Sequence, residues 1–176
     1  MVNRKRTIGK IIAGIIIVLI IIGGWLSYSY NDLVNARNDV ETRYSQVDNV
    51  LQRRADLIPP MIDTVKASMK QEQATLTTLE EARSLYEDAD KYEKPDASDS
   101  ITKASDDLVK VIRESYPELK TNTTVKNFMI DVQGSENRIS YEKIKYNRAV
   151  ESYDNKVEAF PESIAAGIFG FKPIRH

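Results

Sequence analysis

Between Ile11 and Leu26 the chain runs IIAGIIIVLIIIGGWL, 16 residues without a charge, and counting from Ile8 gives 19 with only Lys10 inside. About 20 apolar residues span the hydrocarbon core of a bilayer, and a lysine near the end of such a run can extend its amine to the headgroups. The stretch therefore reads as one transmembrane helix. It is long for the apolar region of a cleaved signal, and Gly23-Gly24-Trp25-Leu26 lacks the small-x-small pattern of a cleavage site, so an anchor is the better reading. Trp25, Tyr28 and Tyr30 fall where an interfacial aromatic belt would lie.

The anchor divides the charges unequally. Arg4, Lys5, Arg6 and Lys10 precede it with no acid among them, leaving 21 basic against 26 acidic residues beyond it, a formal charge of −5. The Lys/Arg bias predicts a cytoplasmic N-terminus and an extracytoplasmic remainder. An acidic domain lacks the basic footprint of a nucleic-acid binder. Residues 1–10 thus read as a basic flank, 11–26 as the transmembrane helix and 27–176 as one folded domain.

That domain has helical spacing almost throughout. Leu33, Val40 and Val47 form one column seven apart, and Tyr44, Leu51 and Ile58 another, the seam of a bundle-forming helix. Arg37 and Arg54 fall on the same seam, and a buried arginine needs a carboxylate or several carbonyls from a facing helix. At Pro59-Pro60 two prolines remove consecutive N–H donors, so the first helix is expected to stop at 57 and the next to begin at 60. Arg53 to Pro60 then forms a hairpin corner, about 45 Å from the bilayer at 1.5 Å per residue, in which Asp56 caps the backbone. Ile62, Val65, Met69, Glu72, Leu76, Leu79, Arg83 and Tyr86 continue the three-four spacing. A corner near 59 would bring Arg37 close to Glu80 and Glu81.

Glu87 to Ser100 has no apolar period and contains Pro95, so it reads as a loop. Ile101, Ala104, Leu108, Val111 and Ser115 mark a helix ending before Pro117. The last pattern, Phe128, Val132, Ser135, Ile139, Glu142, Tyr146, Ala149, Tyr153, Val157 and Phe160, ends at Pro161. Gly134 inside it suggests close packing or a slight bend. The expected helices are 27–57, 60–88, 99–116 and 122–160, an all-α antiparallel bundle. The apolar tail Ile164 to Phe171 is too short to span a membrane and is expected to dock on the bundle.

Chemistry is sparse. Cysteine is absent, and the single histidine is His176. Thiolate metal sites, cysteine nucleophiles and the usual histidine triads are therefore excluded, and no Gly-rich phosphate loop occurs. No catalytic, cofactor or metal residue is assigned. Arg53, Arg54 and Asp56 are the candidate interaction residues. Arg37, Glu72, Arg83, Glu136, Asn137, Arg138 and Glu142 read as structural ion-pair and polar positions. Glu72 and Glu142 are also seam carboxylates that, if they met in the interior, would support acid-base or metal chemistry. The tyrosines read as large core residues with a hydroxyl reaching the surface.

An ordered set of motifs runs the length of the chain. It comprises Tyr30-Asn31-Asp32-Leu33-Val34, Arg53-Arg54-Ala55-Asp56-Leu57-Ile58-Pro59, Glu80-Glu81-Ala82-Arg83 and Tyr116-Pro117-Glu118-Leu119-Lys120. Glu136-Asn137-Arg138-Ile139, Tyr146-Asn147-Arg148-Ala149-Val150, Phe160-Pro161 and Gly170-Phe171-Lys172 complete it. This order resembles the LemA family. The resemblance implies a bacterial, membrane-anchored antiparallel bundle of long helices without assigned catalytic residues. It also implies association with other membrane or envelope proteins, including TPM-domain proteins and membrane metalloproteases. Pro60 stands where the family pattern usually has Asn, and Lys143 where it commonly has Arg. The expected function is a non-catalytic, single-pass scaffold or adaptor, with the lipid bilayer and envelope proteins as partners and homo-oligomerisation open. A membrane-linked sensor and a carboxylate- or metal-dependent enzyme are the alternatives.

Overall fold

The computed structural model describes the backbone of residues 2–174 and the side chains of residues 9–174. His176 and the side chains of Arg4, Lys5 and Arg6 lie outside the described residues. The fold is all-α: α1 (Val2–Val65), α2 (Gln73–Asp88), α3 (Lys94–Ser115), α4 (Thr123–Glu158) and α5 (Glu162–Phe169), with short 3-10 turns at Lys70–Glu72 and Pro117–Thr121. The described residues form two compact units. One comprises residues 41–148, and the other residues 1–40 with 149–176.

Residues 41–148 form an antiparallel four-helix arrangement. Ala55 meets Arg83 and Asp48 meets Tyr86 across α1 and α2. Tyr44 stacks edge-on with Tyr146, and Arg54 reaches Val132 and Ser135, across α1 and α4. Lys143 pairs with Asp99 between α4 and α3. The core contains Val47, Leu51, Ile58, Met61, Leu79, Ile101, Leu108, Phe128, Val132 and Tyr146, all nearly or fully buried.

The predicted corner at Pro59-Pro60 is not there. α1 continues through both prolines to Val65, and the chain turns over Lys66–Glu72 instead. Proline at 59 leaves the Ala55 carbonyl without its helical donor, and Ala55 is fully buried. The Arg83 guanidinium fills that vacancy, donating from Nε to the Ala55 oxygen at 3.2 Å. Proline at 60 frees the Asp56 carbonyl, but Asp56 is exposed and water can satisfy it. Ile58, Met61, Ile62 and Val65 meanwhile bury an unbroken apolar face across the interruption, which favours continuing the helix. Asp56 accordingly caps no corner; its carboxylate accepts a hydrogen bond from Gln52 Nε2 at 2.8 Å, one turn earlier in α1.

The turn carries neither Gly nor Pro. The Ser68 and Met69 amides both donate to the Val65 carbonyl, and Met69 is fully buried beneath them. An apolar plug, rather than a backbone breaker, closes the hairpin. Moving the corner also moves the register: with Ala55 opposite Arg83, Glu80 and Glu81 lie closer to the turn than that pair and are not the partners expected for Arg37. Arg37 is itself exposed, off the buried seam.

Other boundaries shift for local reasons. α3 begins at Lys94, within the predicted loop, because Pro95 sits in its first turn, where a missing N–H costs nothing. Its buried face is Ile101, Ala104, Ser105, Leu108, Val109 and Ile112, and Ser115 is exposed. Gly134 is exposed within an unbroken α4, and a Cβ built there meets no atom within 4 Å. Close packing does not explain this glycine. Gly134→Ala is expected to raise stability by about 0.5–1 kcal/mol through helix propensity alone, measured by thermal unfolding.

In the second unit, Leu33 of α1, Val150, Tyr153 and Val157 of α4, and Ala165 and Ala166 of α5 are buried. Lys156 pairs with Asp32 at 2.8 Å. The Tyr153 hydroxyl donates to the Lys172 carbonyl at 3.1 Å, and Asp154 accepts from the Ile174 amide at 2.8 Å. The tail thus docks on helices α1 and α4. Phe160, which continues the α4 spacing in sequence, lies past the end of that helix and is 82% exposed. Ile11 to Ile22 of α1 stand exposed on every side, giving one helix near the N-terminus long and apolar enough to cross a membrane.

Candidate functional site around Arg53, Arg54 and Asp131

Arg54 is the largest fully buried side chain described. Its place on the α1 seam, between Leu51 and Ile58, drives the guanidinium into the bundle. Nη2 donates to Ser135 Oγ at 2.7 Å and to the Val132 carbonyl at 3.2 Å, and the Ser135 hydroxyl in turn donates to the Asp131 carbonyl at 2.6 Å. The Asp131 carboxylate stands 4.0 Å from Arg54 Nε, too far for a hydrogen bond but close enough to offset the charge. Arg54 Nε, Arg54 Nη1 and Asp131 Oδ2 have no hydrogen-bond partner among the described atoms. Burial pushes the Arg54 pKa down from its ordinary value, while Asp131, Asp106 and Glu136 act to hold the charge in place. An arginine remains protonated even so.

Arg53, the preceding residue, points the other way. Its side chain is 75% exposed, yet its Nε meets Asp131 Oδ1 at 3.0 Å. Asp131 therefore serves two guanidiniums, one inside the bundle and one outside. Arg53 is not the unengaged cation that a hairpin tip would have made it.

Around this pair lies an open cleft between α1 and α4, lined by Asn49, Val50, Arg53, Ile130, Asp131, Gly134, Ser135 and Arg138. Arg138 is exposed on its rim, and Ile130 adds a 58% exposed apolar side chain. Glu136 and Asn137 are also exposed. Glu136 faces Asp106 of α3, whose carboxyl is pushed above the usual range by burial first and then by Glu136, with Arg54 opposing.

Sequence spacing did not single out Asp131, although it lies three residues after Phe128 and four before Ser135. The seam reading took Val132 as the intervening position. The available signal was the requirement itself: a seam arginine demands a carboxylate on a facing helix.

The other polar positions disperse. Arg83 splits its guanidinium between Ala55 and Glu87, with Nη2 at 2.6 Å from Oε1. Glu142 lies 3.9 Å from Lys145. Tyr44 opposite Tyr146 places Glu142 level with residues near 48 of α1, whereas Glu72 lies past Val65, about 25 Å further along the helix axis at 1.5 Å per residue. The two carboxylates do not meet, and the acid-base pair they suggested is absent. Among the described residues no group of three metal-capable side chains comes together.

A second polar cluster surrounds Tyr44 and Tyr86. The Tyr86 hydroxyl donates to Asp48 Oδ1 at 2.9 Å, Tyr92 donates to Glu41 at 2.7 Å, and Lys91 pairs with Glu41 while lying over the Tyr44 ring. Burial, then the Asp48 charge, pushes the Tyr44 phenol up to about 12; burial and the hydrogen bond to Asp48 raise Tyr86 further. The folded state thus retains protons that the unfolded chain releases near the ordinary tyrosine value of about 10. The stabilisation is complete below about pH 10 and is lost as pH rises through about 12. In a spectrophotometric titration of the nine tyrosines, Tyr44 and Tyr86 are expected to ionise only with loss of helical circular dichroism.

A comparison with curated proteins finds no match. The model of the LemA family matches residues 43–176. That match takes in the buried Arg54, its Asp131 partner, the turn after Val65 and the docked tail. With the match extending over most of its length, the chain belongs to the LemA family.

Proposed function

We propose that this LemA-family protein is a non-catalytic adaptor, anchored by α1 and binding other envelope proteins through the α1–α4 cleft. The observation that carries the reading is the placement of Arg53 and Arg138 beside exposed Ile130 on two long helices. Exposed guanidiniums flanking an apolar side chain suit a partner helix or strand that carries carboxylates beside an apolar anchor. A helical scaffold holds such groups with little loss of entropy on binding. The charge bias across the anchor favours an extracytoplasmic bundle, so the partners are membrane or envelope proteins on that side.

The test is photocrosslinking in cells from a photoreactive residue at position 138, with position 85, also exposed but outside the cleft, as the control. Reproducible adducts with one or a few envelope proteins at 138, and not at 85, are expected. No adduct from 138, or the same adducts from both positions, would contradict the adaptor reading.

A further inference from the structure

We propose that α5 is a second membrane contact, lying in the lipid headgroup region beside the emergence of α1. The inference rests on the anchor reading of α1 but not on the adaptor role.

After Glu162 and Ser163 in its first turn, α5 carries only apolar residues, from Ile164 to Phe169. Ala165 and Ala166 are buried against the rest of their unit, while Ile164 and Ile168, one turn apart on the opposite side, are 49% and 61% exposed. Phe160, just before the helix, is 82% exposed, and Phe169 at its end 43%. Phe160, Ile164, Ile168 and Phe169 together leave an exposed apolar patch, and such a patch marks a contact surface. The covering medium follows from position. The Phe169 ring packs edge-on against Tyr30 at 4.9 Å between centroids, and Phe171 against the same ring at 5.9 Å. Tyr30 lies four residues beyond Leu26, the last residue of the apolar span, or about 6 Å along the helix. The headgroup layer on each side of the hydrocarbon core is about that thick.

Backbone geometry fixes the placement. Gly170 takes φ 75°, a left-handed conformation suited to glycine, and the Phe171 amide donates to the Ala166 carbonyl at 2.9 Å. This closes α5 and returns Phe171 to Tyr30. Lys172 follows and is exposed, a cation suited to lipid phosphate. Exposed isoleucines, aromatic rings and a terminal lysine are the composition of an interfacial segment, and here the anchor already sets its depth.

The chain contains no cysteine, so Ile168→Cys, Ile164→Cys and Ile17→Cys each give a unique site for a bimane label in the full-length protein. Each is reconstituted in phosphatidylcholine–phosphatidylglycerol vesicles, with doxyl lipids as membrane quenchers and iodide as the aqueous one. The expected result is loss of emission at 164 and 168 with lipids labelled near the headgroup, with protection from iodide, and loss at 17 with lipids labelled deep in the chain. Iodide quenching without lipid quenching at 164 and 168 would place α5 in water and overturn the proposal. Protection from both quenchers would show that protein covers it, again overturning the proposal. Lipid quenching at 17 in either case leaves the anchor standing, whereas its absence would overturn anchor and proposal together.

Discussion

Asp131→Asn is expected to destabilise the protein by about 3 kcal/mol, the low end of the cost of breaking a buried ion pair. The change leaves the Arg54 guanidinium fully buried with hydrogen bonds only to Ser135 and Val132, and with Asp106 and Glu136 as its remaining counter-charges. Arg54→Met is expected to cost less, about 1–2 kcal/mol for two lost hydrogen bonds, because Asp131 retains Arg53 at 3.0 Å. The order of the two effects is the informative quantity. If Asp131 compensates a trapped charge, the aspartate variant is worse; if Arg54 is there to satisfy Asp131, the order reverses. Thermal unfolding in detergent followed by circular dichroism resolves it, since about 3 kcal/mol corresponds to a shift of roughly 6–12 °C at this chain length.

The second large effect concerns the prolines. Arg83→Met removes the donor that satisfies the Ala55 carbonyl and is expected to cost about 1–3 kcal/mol, the penalty for a buried polar group left unpaired. In a Pro59→Ala background the residue-59 amide can make the ordinary helical bond to Ala55, so the same substitution should cost much less. A double-mutant cycle is therefore expected to show coupling of about 1 kcal/mol or more between positions 59 and 83, which are 24 residues apart in sequence. Additive effects would mean that water, not Arg83, fills the vacancy.

These two sites also show where sequence reasoning ended. The seam columns Leu33–Val40–Val47 and Tyr44–Leu51–Ile58 and the alternating series from Ile62 to Tyr86 located buried residues, because periodicity records burial directly. The α1–α2 corner did not follow from the same pattern. Proline is a local signal against helix, and its cost at 59 is offset by a side chain 24 positions later, which no local rule sees. The real turn uses Met69 as a buried plug and carries neither Gly nor Pro, the residues that announce a turn most strongly. Arg54 was legible as a buried cation in need of a carboxylate, but its partner was not, since Asp131 lies beside the chosen column rather than on it. Arg37 fitted the seam by spacing and is exposed in the fold. Glu72 and Glu142 fitted it too, and moving the corner separated them. Helix spacing tells which face a residue occupies; which residues lie opposite depends on where the chain turns.

The adaptor reading puts the partner surface at the cleft rim, where Arg53 is paired with Asp131 and Arg138 is exposed. Charge reversal at Arg53 would set a carboxylate against Asp131 and mix binding with stability. Arg138 is exposed and lines the same cleft, so Arg138→Glu is expected to change stability by no more than about 0.5 kcal/mol, as an exposed substitution does. The decisive measurement is the yield of envelope-protein adducts from a photoreactive residue at position 130, compared between cells that retain Arg138 and cells that carry the Arg138→Glu substitution, at equal protein level and equal melting temperature. Loss of the adducts on charge reversal is the predicted result. Unchanged adducts, or no adducts in either case, would contradict a partner site at the α1–α4 cleft.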